Sequence, residues 1–114
     1  MRVRVIVTVI VAMFIFCGQV VAHPRPLPRH FVAGIKCIHG YEGSWHDADS
    51  SGNGYWGGLQ MDLTFMKTYG PKLLRTKGYA HHWTPHEQVH VAYRAYKKRG
   101  WNPWPRTARL CGLL

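Results

Sequence analysis

The chain has 114 residues, enough for one domain with a single hydrophobic core and too few for two. Its 15 lysines and arginines outnumber five aspartates and glutamates, and the formal net charge of +10 favours polyanionic partners. The shortage of carboxylates also limits which residues could carry acid–base chemistry.

Residues 1–22 have the composition of a secretory signal peptide. Two arginines precede an almost continuously apolar run over Val5–Phe16. The small or β-branched residues at 20–22 fit a signal-peptidase site. The apolar run is shorter than the about 20 residues that a membrane-spanning helix needs. We therefore expect a secreted protein cleaved near Ala22, with an uncleaved membrane anchor as the alternative.

Residues 23–30 carry three prolines on alternate positions and predict an extended linker, because each proline removes a backbone donor. The folded domain is then expected over 31–114. Removal of the signal peptide would discard Cys17 and leave Cys37 and Cys111 near the two ends of this domain. In an oxidising compartment these two cysteines should pair, with two buried free thiols as the alternative.

The first element of the domain is predicted to be a helix from about Phe31 to Gly43. Apolar residues recur there at helical spacing, and Glu42 continues the same series. Glu42 should therefore lie at the C-terminal end of this helix, on the edge of its apolar face.

Residues 45–58 are rich in glycine, aspartate, serine and asparagine, which is turn chemistry. Asn53-Gly54 is typical of a tight hairpin turn. Tyr55 and Trp56 follow it directly. We expect an irregular, glycine-rich lobe with at most two short strands.

Helices are predicted for most of the remaining chain. Asp62 is typical of an N-cap for a helix that ends near Tyr69, and Lys72–Lys77 predicts a second, short helix. A short helical turn should also precede Cys111. The fold class is therefore mainly α: a small helical domain with a glycine-rich lobe and one disulfide.

The longest helix is predicted to begin after Thr84. Thr84, Pro85 and Glu87 form a capping-box sequence with proline at the first helical position. Gly100 should end this helix. Its inward stripe is expected to consist of Val89, Ala92, Tyr93 and Tyr96.

Glu42 is the acidic residue without an evident structural role. Glu87 belongs to the capping box and Asp62 to a helix cap, while Asp47 and Asp49 lie in a turn where short acceptors bind backbone donors. Glu42 is therefore either a catalytic acid or a solvated residue at a helix end.

A single carboxyl is sufficient for one kind of glycoside cleavage. Most glycosidases use two carboxyls, but one residue can be acid first and base second if the C6 hydroxyl of the sugar is the nucleophile. The product is then a 1,6-anhydro sugar. Alternatively, Asp47 and Asp49 could hold a water for hydrolysis.

The flexible glycines beside Tyr55 and Trp56 would let these rings stack on a sugar, although large aromatics in a small domain commonly belong to the core. His86 and His90 lie four residues apart and could hold a metal from one helix face. The cap places His86 in the first turn, and no cysteine remains as a ligand. We therefore expect surface histidines, with no metal or organic cofactor.

Several motifs of the sequence resemble those of known families. The sequence is similar to soluble lytic transglycosylases and goose-type lysozymes at 42–45 (Glu-Gly-Ser-Trp), Ser51 and 58–60 (Gly-Leu-Gln). A closer resemblance, to the catalytic domain of resuscitation-promoting factors, spans about residues 31 to 112. It rests on Cys37, 52–60 (Gly-Asn-Gly-Tyr-Trp-Gly-Gly-Leu-Gln), Glu87-Gln88, 100–105 (Gly-Trp-Asn-Pro-Trp-Pro) and Cys111.

The resemblance implies a compact lysozyme-like fold with a Cys37–Cys111 disulfide. It implies cleavage of the β-1,4 bond between N-acetylmuramic acid and N-acetylglucosamine, with Glu42 as the catalytic acid. Tyr55 and Gln60 match positions of the substrate groove.

To the groove we add the remaining candidates for glycan contact, which are Asp49, Ser51 and Trp56.

The expected partners are peptidoglycan glycan strands and anionic wall polymers, and export argues against nucleic acid. The protein should act as a monomer. Two alternatives stay open besides hydrolysis by a muramidase. One is a wall-glycan-binding module that does not cut, and the other is a cationic protein that acts on anionic membranes.

Overall fold

The computed structural model describes residues 15, 17–19, 24–49 and 51–114, so most of the predicted signal peptide lies outside the described residues. Within these ranges no helix combines the length and apolar character needed to cross a membrane. The prediction of a mainly helical domain is confirmed. The five α-helices are Arg29–Glu42 (α1), Leu63–Tyr69 (α2), Pro71–Lys77 (α3), Pro85–Arg99 (α4) and Pro105–Leu110 (α5).

Helix α1 begins two residues earlier than predicted and ends at Glu42. The following residue, Gly43, has φ 147°, and a side chain there would collide with the Asp47 carboxylate. Only glycine adopts this conformation without strain. The requirement for glycine at position 43 therefore stops the helix directly after Glu42 and leaves this side chain in the terminal turn.

Helix α4 carries the predicted capping box. The Thr84 hydroxyl accepts from the Glu87 amide, while Glu87 Oε1 accepts from the Thr84 amide at 3.0 Å. The helix ends at Gly100, which has φ 58°. The predicted boundaries of this helix are confirmed.

The buried face of α4 is rotated from the predicted stripe. Of the predicted residues only Ala92 is fully buried, and its fully buried neighbours include Gln88, Val91 and Ala95. Val89 and the two tyrosines of the stripe are half-buried at its margin. The prediction omitted Gln88 because a polar residue was not expected in the core.

The core lies between α1, α4 and the connecting segments. Its largest fully buried side chains include Trp83, Phe31, Ile38, Leu59 and Met66. Burial of these groups from water supplies the main driving force for folding.

The predicted disulfide is confirmed, since Cys37 of α1 is bonded to Cys111 directly after α5. The bridge closes a sequence separation of 74 residues, which is worth about 4 kcal/mol in the chain-entropy model. It therefore holds the last helix against the first.

The glycine-rich lobe is irregular, as predicted. Its β pairing in the described residues is limited to two isolated bridges, Ala48 with Trp56 and Trp56 with Met61. Asp49, at φ 51°, closes the loop that joins Ala48 to Trp56. Its carbonyl accepts from the Gly52 amide, and its Oδ1 accepts from the Gly54 amide. Hydrogen bonds to side-chain and backbone acceptors thus hold the lobe in place of a regular sheet.

Glu87 provides a test of the capping box and its ion pair. Lys77 Nζ donates to Glu87 Oε1 at 2.7 Å, and this hydrogen bond holds the pKa of the carboxyl below its ordinary value of 4.5. A carboxyl with a lowered pKa contributes stability above its ordinary pKa, and that contribution is lost as the pH falls through the lowered value. We expect Glu87→Gln, which can still accept from Thr84, to lower the unfolding free energy at pH 7 by roughly 0.5 kcal/mol.

The measurement is urea denaturation of both proteins at pH 7 and pH 3. The difference between them should shrink at pH 3, because this pH lies below the ordinary pKa of the carboxyl and the contribution of the ion pair is falling there. Glu87→Ala serves as the control that also removes the hydrogen bond from the Thr84 amide to the side chain at position 87, which costs about 1 kcal/mol at both pH values. A difference between wild type and Glu87→Gln that does not change with pH would contradict the role of the ion pair.

Candidate active site

Glu42 is half-buried at the end of α1 and is held by a residue from the other end of the domain. Thr107 Oγ1 donates to Glu42 Oε1 at 2.8 Å, across a sequence separation of 65 residues. Thr107 belongs to α5 and is only 7% exposed. Because α1 and α5 are also joined by the Cys37–Cys111 bond, the position of the carboxyl is fixed from two sides.

Glu42 lines a cavity of about 320 Å³. The glycine-rich lobe forms one wall, with Asn53, Tyr55 and Gln60, and residues 103–106 form the other. A second cavity, of about 200 Å³, shares the Tyr55, Gln60 and 103–104 walls and continues towards α2. We call these two joined cavities the groove.

Tyr55 and Gln60 are neighbours of the two residues that close a turn. Trp56 and Met61 exchange backbone hydrogen bonds of 3.0 and 2.9 Å, which brings Tyr55, directly before the turn, near Gln60, the last residue inside it. Gln60 has φ 48°, and its Nε2 donates to the Gly57 carbonyl at 3.0 Å. The turn thus places Tyr55 and Gln60 beside Glu42 in one cavity.

The other predicted contact residues do not line the groove. Trp56 packs on Tyr79, with ring centroids 4.6 Å apart, and holds the turn through its backbone. Asp49 Oδ1 accepts from the Gly54 amide and supports the loop that precedes Tyr55. Ser51 is exposed in that loop.

Among the described carboxylates, Glu42 is the one that neither caps a helix nor accepts from a backbone amide. Of the acids on the groove wall, Asp62 accepts from the Phe65 amide at 2.7 Å and caps α2. Away from the wall, Asp47 accepts from the Ser44 amide, and Asp49 has the partner given above. Among the described side chains that line its own cavity, Glu42 is the one carboxylate. Acid–base chemistry in the groove therefore depends on this residue.

A buried amide holds the wall of the groove against α4. Gln88 is fully buried, and its Oε1 accepts from the Gly58 amide at 2.9 Å. Its Nε2 donates to the Trp45 carbonyl at 2.8 Å and to the Trp83 carbonyl at 3.1 Å. A side chain on Gly57 would lie 2.5 Å from Gln88 Oε1, so the amide requires glycine there.

His39 supports the same wall from α1. Its Nδ1 lies 2.8 Å from the Gly58 carbonyl oxygen, and its ring stacks on Trp45 at 3.7 Å. A side chain on Gly58 would meet both rings. The sequence analysis left His39 and Trp45 out of the site, and both support it from behind.

His86 and His90 do approach each other, with their Nε2 atoms 3.0 Å apart. Together with Glu87 they match the His-Glu-x-x-His spacing of zinc peptidases, which the sequence analysis overlooked. In such a helix the glutamate acts as general base, but here Glu87 is bound by the Thr84 amide and Lys77. The described residues bring no third histidine, cysteine or carboxylate to this pair. The pair therefore lacks the ligand set of a catalytic zinc site.

Thr107 and Arg106 are the site residues that the sequence did not indicate. A threonine and an arginine in a six-residue helix carry no local signal of a role, and only the packing of α5 on α1 brings them to Glu42. The Pro-Trp-Pro sequence at 103–105 could have indicated a wall of the ligand site, because rigid apolar residues are typical of such sites.

Comparison with known proteins gives a family for this arrangement. The family model described as a transglycosylase-like domain matches residues 37–107. Resuscitation-promoting factor Rpf1 of Corynebacterium glutamicum is 38% identical over 71 residues, which cover 62% of this chain and 35% of that protein. The chain thus spans about a third of the length of this relative. The family match runs from the first disulfide cysteine to the threonine that contacts Glu42.

Gln88 provides the test of how the groove wall is built. Gln88→Leu keeps the volume but leaves one buried amide and two carbonyls without their partner. We expect the unfolding free energy to fall by about 2–4 kcal/mol, because an unsatisfied buried polar group costs about 1–3 kcal/mol. Urea denaturation measures the loss, and hydrogen exchange at the Gly58 amide should accelerate.

The matched control is His86→Leu, a polar-to-leucine change at an exposed position of the same helix. It should change stability by less than about 0.5 kcal/mol. Equal losses in the two variants would show that the Gln88 amide does not hold the wall.

Proposed function

This chain belongs to the transglycosylase-like domain family, and we propose that it is a lytic transglycosylase that cleaves peptidoglycan glycan strands. The bond cut is the β-1,4 bond between N-acetylmuramic acid and N-acetylglucosamine. The observation that carries the proposal is the placement of Glu42, held by Thr107, as the one carboxylate on the wall of its cavity.

Glu42 acts as the general acid. Its Oε1 accepts the Thr107 hydroxyl, so a proton on the carboxyl resides on Oε2, the oxygen left for substrate. This proton passes to the glycosidic oxygen as the bond from C1 to that oxygen breaks, and the N-acetylglucosamine hydroxyl leaves.

Among the described residues no second carboxylate lines the cavity of Glu42, which favours an intramolecular second step. A hydrolase places a second carboxyl across the scissile bond, as nucleophile or as base for water. Here the muramic acid C6 hydroxyl attacks C1 and gives its proton to the Glu42 carboxylate. The new C1–O6 bond forms the 1,6-anhydro product, and Glu42 is protonated again for the next turnover.

Substrate contacts are assigned to the groove walls. Tyr55 is 42% exposed and offers its ring to a sugar face. Gln60 lies beside it and can bind the N-acetyl group. Asp49 and Trp56 act behind them by fixing the loop and the turn. Ser51, in the exposed loop, remains a predicted contact for the glycan beyond the cavity.

Two further parts of the proposal concern location. Residues 1–22 act as a signal peptide, and 23–30 link it to the domain of 31–114. The protein then works as a monomer outside the membrane, where its substrate lies.

A site made of one carboxyl, a hydroxyl and aromatic walls performs this reaction without a metal or organic cofactor.

The reaction is tested by mass spectrometry of the soluble products released from purified peptidoglycan. We expect muropeptides that are lighter than hydrolysed ones by one water. Glu42→Gln should release at least about a hundredfold less product, because it cannot donate the proton. His86→Leu, a substitution outside the groove, is the control.

Other product patterns would change the conclusion. Ordinary reducing ends would identify a muramidase and would overturn the intramolecular step. Unchanged cleavage by Glu42→Gln would remove Glu42 from the mechanism. Retention on peptidoglycan without any product would identify a glycan-binding module.

Thr107 provides a separate test of how Glu42 is positioned. Thr107→Val keeps the shape of the side chain and removes the hydroxyl, whereas Thr107→Ser retains it. We expect Thr107→Val to lower kcat about tenfold with little change in KM, since a hydrogen bond to a charged group is worth about 1.5–3 kcal/mol.

Thr107→Ser should restore most of the loss in kcat. Equal losses in both variants, or a loss that follows thermal stability, would mean that Thr107 supports packing only.

A further inference from the structure

A row of basic side chains follows one face of α4. His86, His90, Arg94 and Lys98 are each four residues apart, so they share a slowly winding face and recur about every 6 Å along the axis. Lys97 lies next to the end of this row. We call these five side chains, together with Lys72 of α3, the basic face.

The basic face lines two adjoining hollows. One, of about 480 Å³, lies between α3 and α4 and contains Lys72 and both histidines. The other, of about 560 Å³, lies between α4 and the end of α2 and contains the two lysines of α4. Arg94 lines both, and its Nη1 donates to the Tyr69 carbonyl at 2.9 Å. The two hollows therefore meet at a fixed guanidinium, and we call them together the channel.

The positive charges of this channel are not balanced by the protein. Glu87 is the carboxylate on its walls, and Lys77 already binds it at 2.7 Å. Across the described residues this is the one ion pair between side chains. Lys72, Arg94, Lys97 and Lys98 are exposed and have no carboxylate partner. Their mutual repulsion is relieved only by anions from solution.

We propose that the basic face binds a linear poly(polyol phosphate), a polymer without bases in which one phosphodiester joins each short polyol unit to the next. The charge of the channel comes from Lys72, Arg94, Lys97 and Lys98, and these cations along an open channel fit an extended chain of regularly spaced anions. Arginine and lysine are the usual phosphate ligands. Binding releases the counterions condensed on such a polymer, which makes the affinity depend on salt.

Two other polyanions fit the basic face less well. Binding to an anionic membrane normally adds apolar side chains that enter the bilayer. Of the exposed large hydrophobic residues of the described chain, Val32 shares a separate hollow with His86 and His90. The others line neither hollow of the channel: Ile15, Tyr41, Tyr55, Tyr79, Leu110 and Leu114. Single-stranded nucleic acid is normally bound with aromatic rings that stack on bases. Here the tyrosines beside the lysines, Tyr69 and Tyr93, are half-buried, and Tyr93 lies under Lys97 at 5.2 Å.

The channel also meets the groove. Thr68 and Tyr69 line both the hollow at Arg94 and the cavity at the far end of the groove from Glu42. A polymer in the channel would therefore lie next to a glycan in the groove. The binding itself rests on the charges of the basic face and does not require that Glu42 be catalytic.

The experiment measures the affinity of the purified protein for a labelled poly(glycerol phosphate) oligomer at several salt concentrations. Lys72→Gln/Lys97→Gln/Lys98→Gln removes three charges and leaves the Arg94 hydrogen bond intact. The control, Arg29→Gln/Lys36→Gln/Arg109→Gln, removes three exposed charges from α1 and α5. Both variants have the same net charge, and equal thermal unfolding would show that both are folded.

We expect the face variant to bind at least about tenfold more weakly, with the slope of log affinity against log salt reduced by about 2. The control should retain affinity close to wild type, and Glu42→Gln should bind normally even if it cannot cut. Equal losses in the face and control variants would overturn the proposal, because net charge alone would then explain binding. The proposal also fails if single-stranded DNA, or vesicles of phosphatidylglycerol and phosphatidylcholine, displace the oligomer at equal phosphate concentration.

Discussion

The site depends on one buried amide. Gln88 lies in the core of α4 and binds the Gly58 amide and the Trp45 and Trp83 carbonyls, which belong to three segments without regular structure. The glycine-rich lobe has two isolated bridges and no sheet in the described residues, so its backbone groups need partners from elsewhere. An amide can both donate and accept, and Gln88 uses both abilities to join the lobe to the helical core.

This constraint explains the glycines that follow Trp56. The amide can approach the turn only if Gly57 lacks a side chain, and His39 and Trp45 can approach only if Gly58 does. The turn held in this way carries Tyr55 and Gln60 to the wall of the groove. A packing requirement behind the wall thus determines the surface in front of it.

The opposite wall is built by a different principle. Glu42 and Thr107 are 65 residues apart, and the Cys37–Cys111 bond joins the same two helices. A domain of this size has little core to spare for holding a six-residue helix, and the covalent bond supplies what packing alone would not. The carboxyl and the hydroxyl therefore meet in a geometry that short-range interactions could not maintain.

The sequence alone determined the elements that depend on local chemistry. The capping box at Thr84 and Glu87, the cap at Asp62 and the end of α4 at Gly100 follow from interactions within one or two helical turns. The sequence also singled out Glu42 as the candidate acid, because the other four acids had local backbone partners to satisfy. The sequence also indicated which two of the three cysteines pair, because Cys17 lies in the predicted signal peptide and Cys37 and Cys111 lie in the domain.

Only the tertiary structure decided which residues share the groove. It placed Tyr55 and Gln60 there and turned Trp56 onto Tyr79, although both aromatics follow the same glycine loop. It made Thr107 the partner of Glu42 and Gln88 the centre of the lobe, and neither residue has a local pattern that reveals its role. It also bound Glu87 to Lys77 beside two histidines whose spacing, taken alone, matches a metal site. The physical reason is the same in each case: these hydrogen bonds and contacts join residues far apart in the chain, and only the packing of the whole domain brings them together.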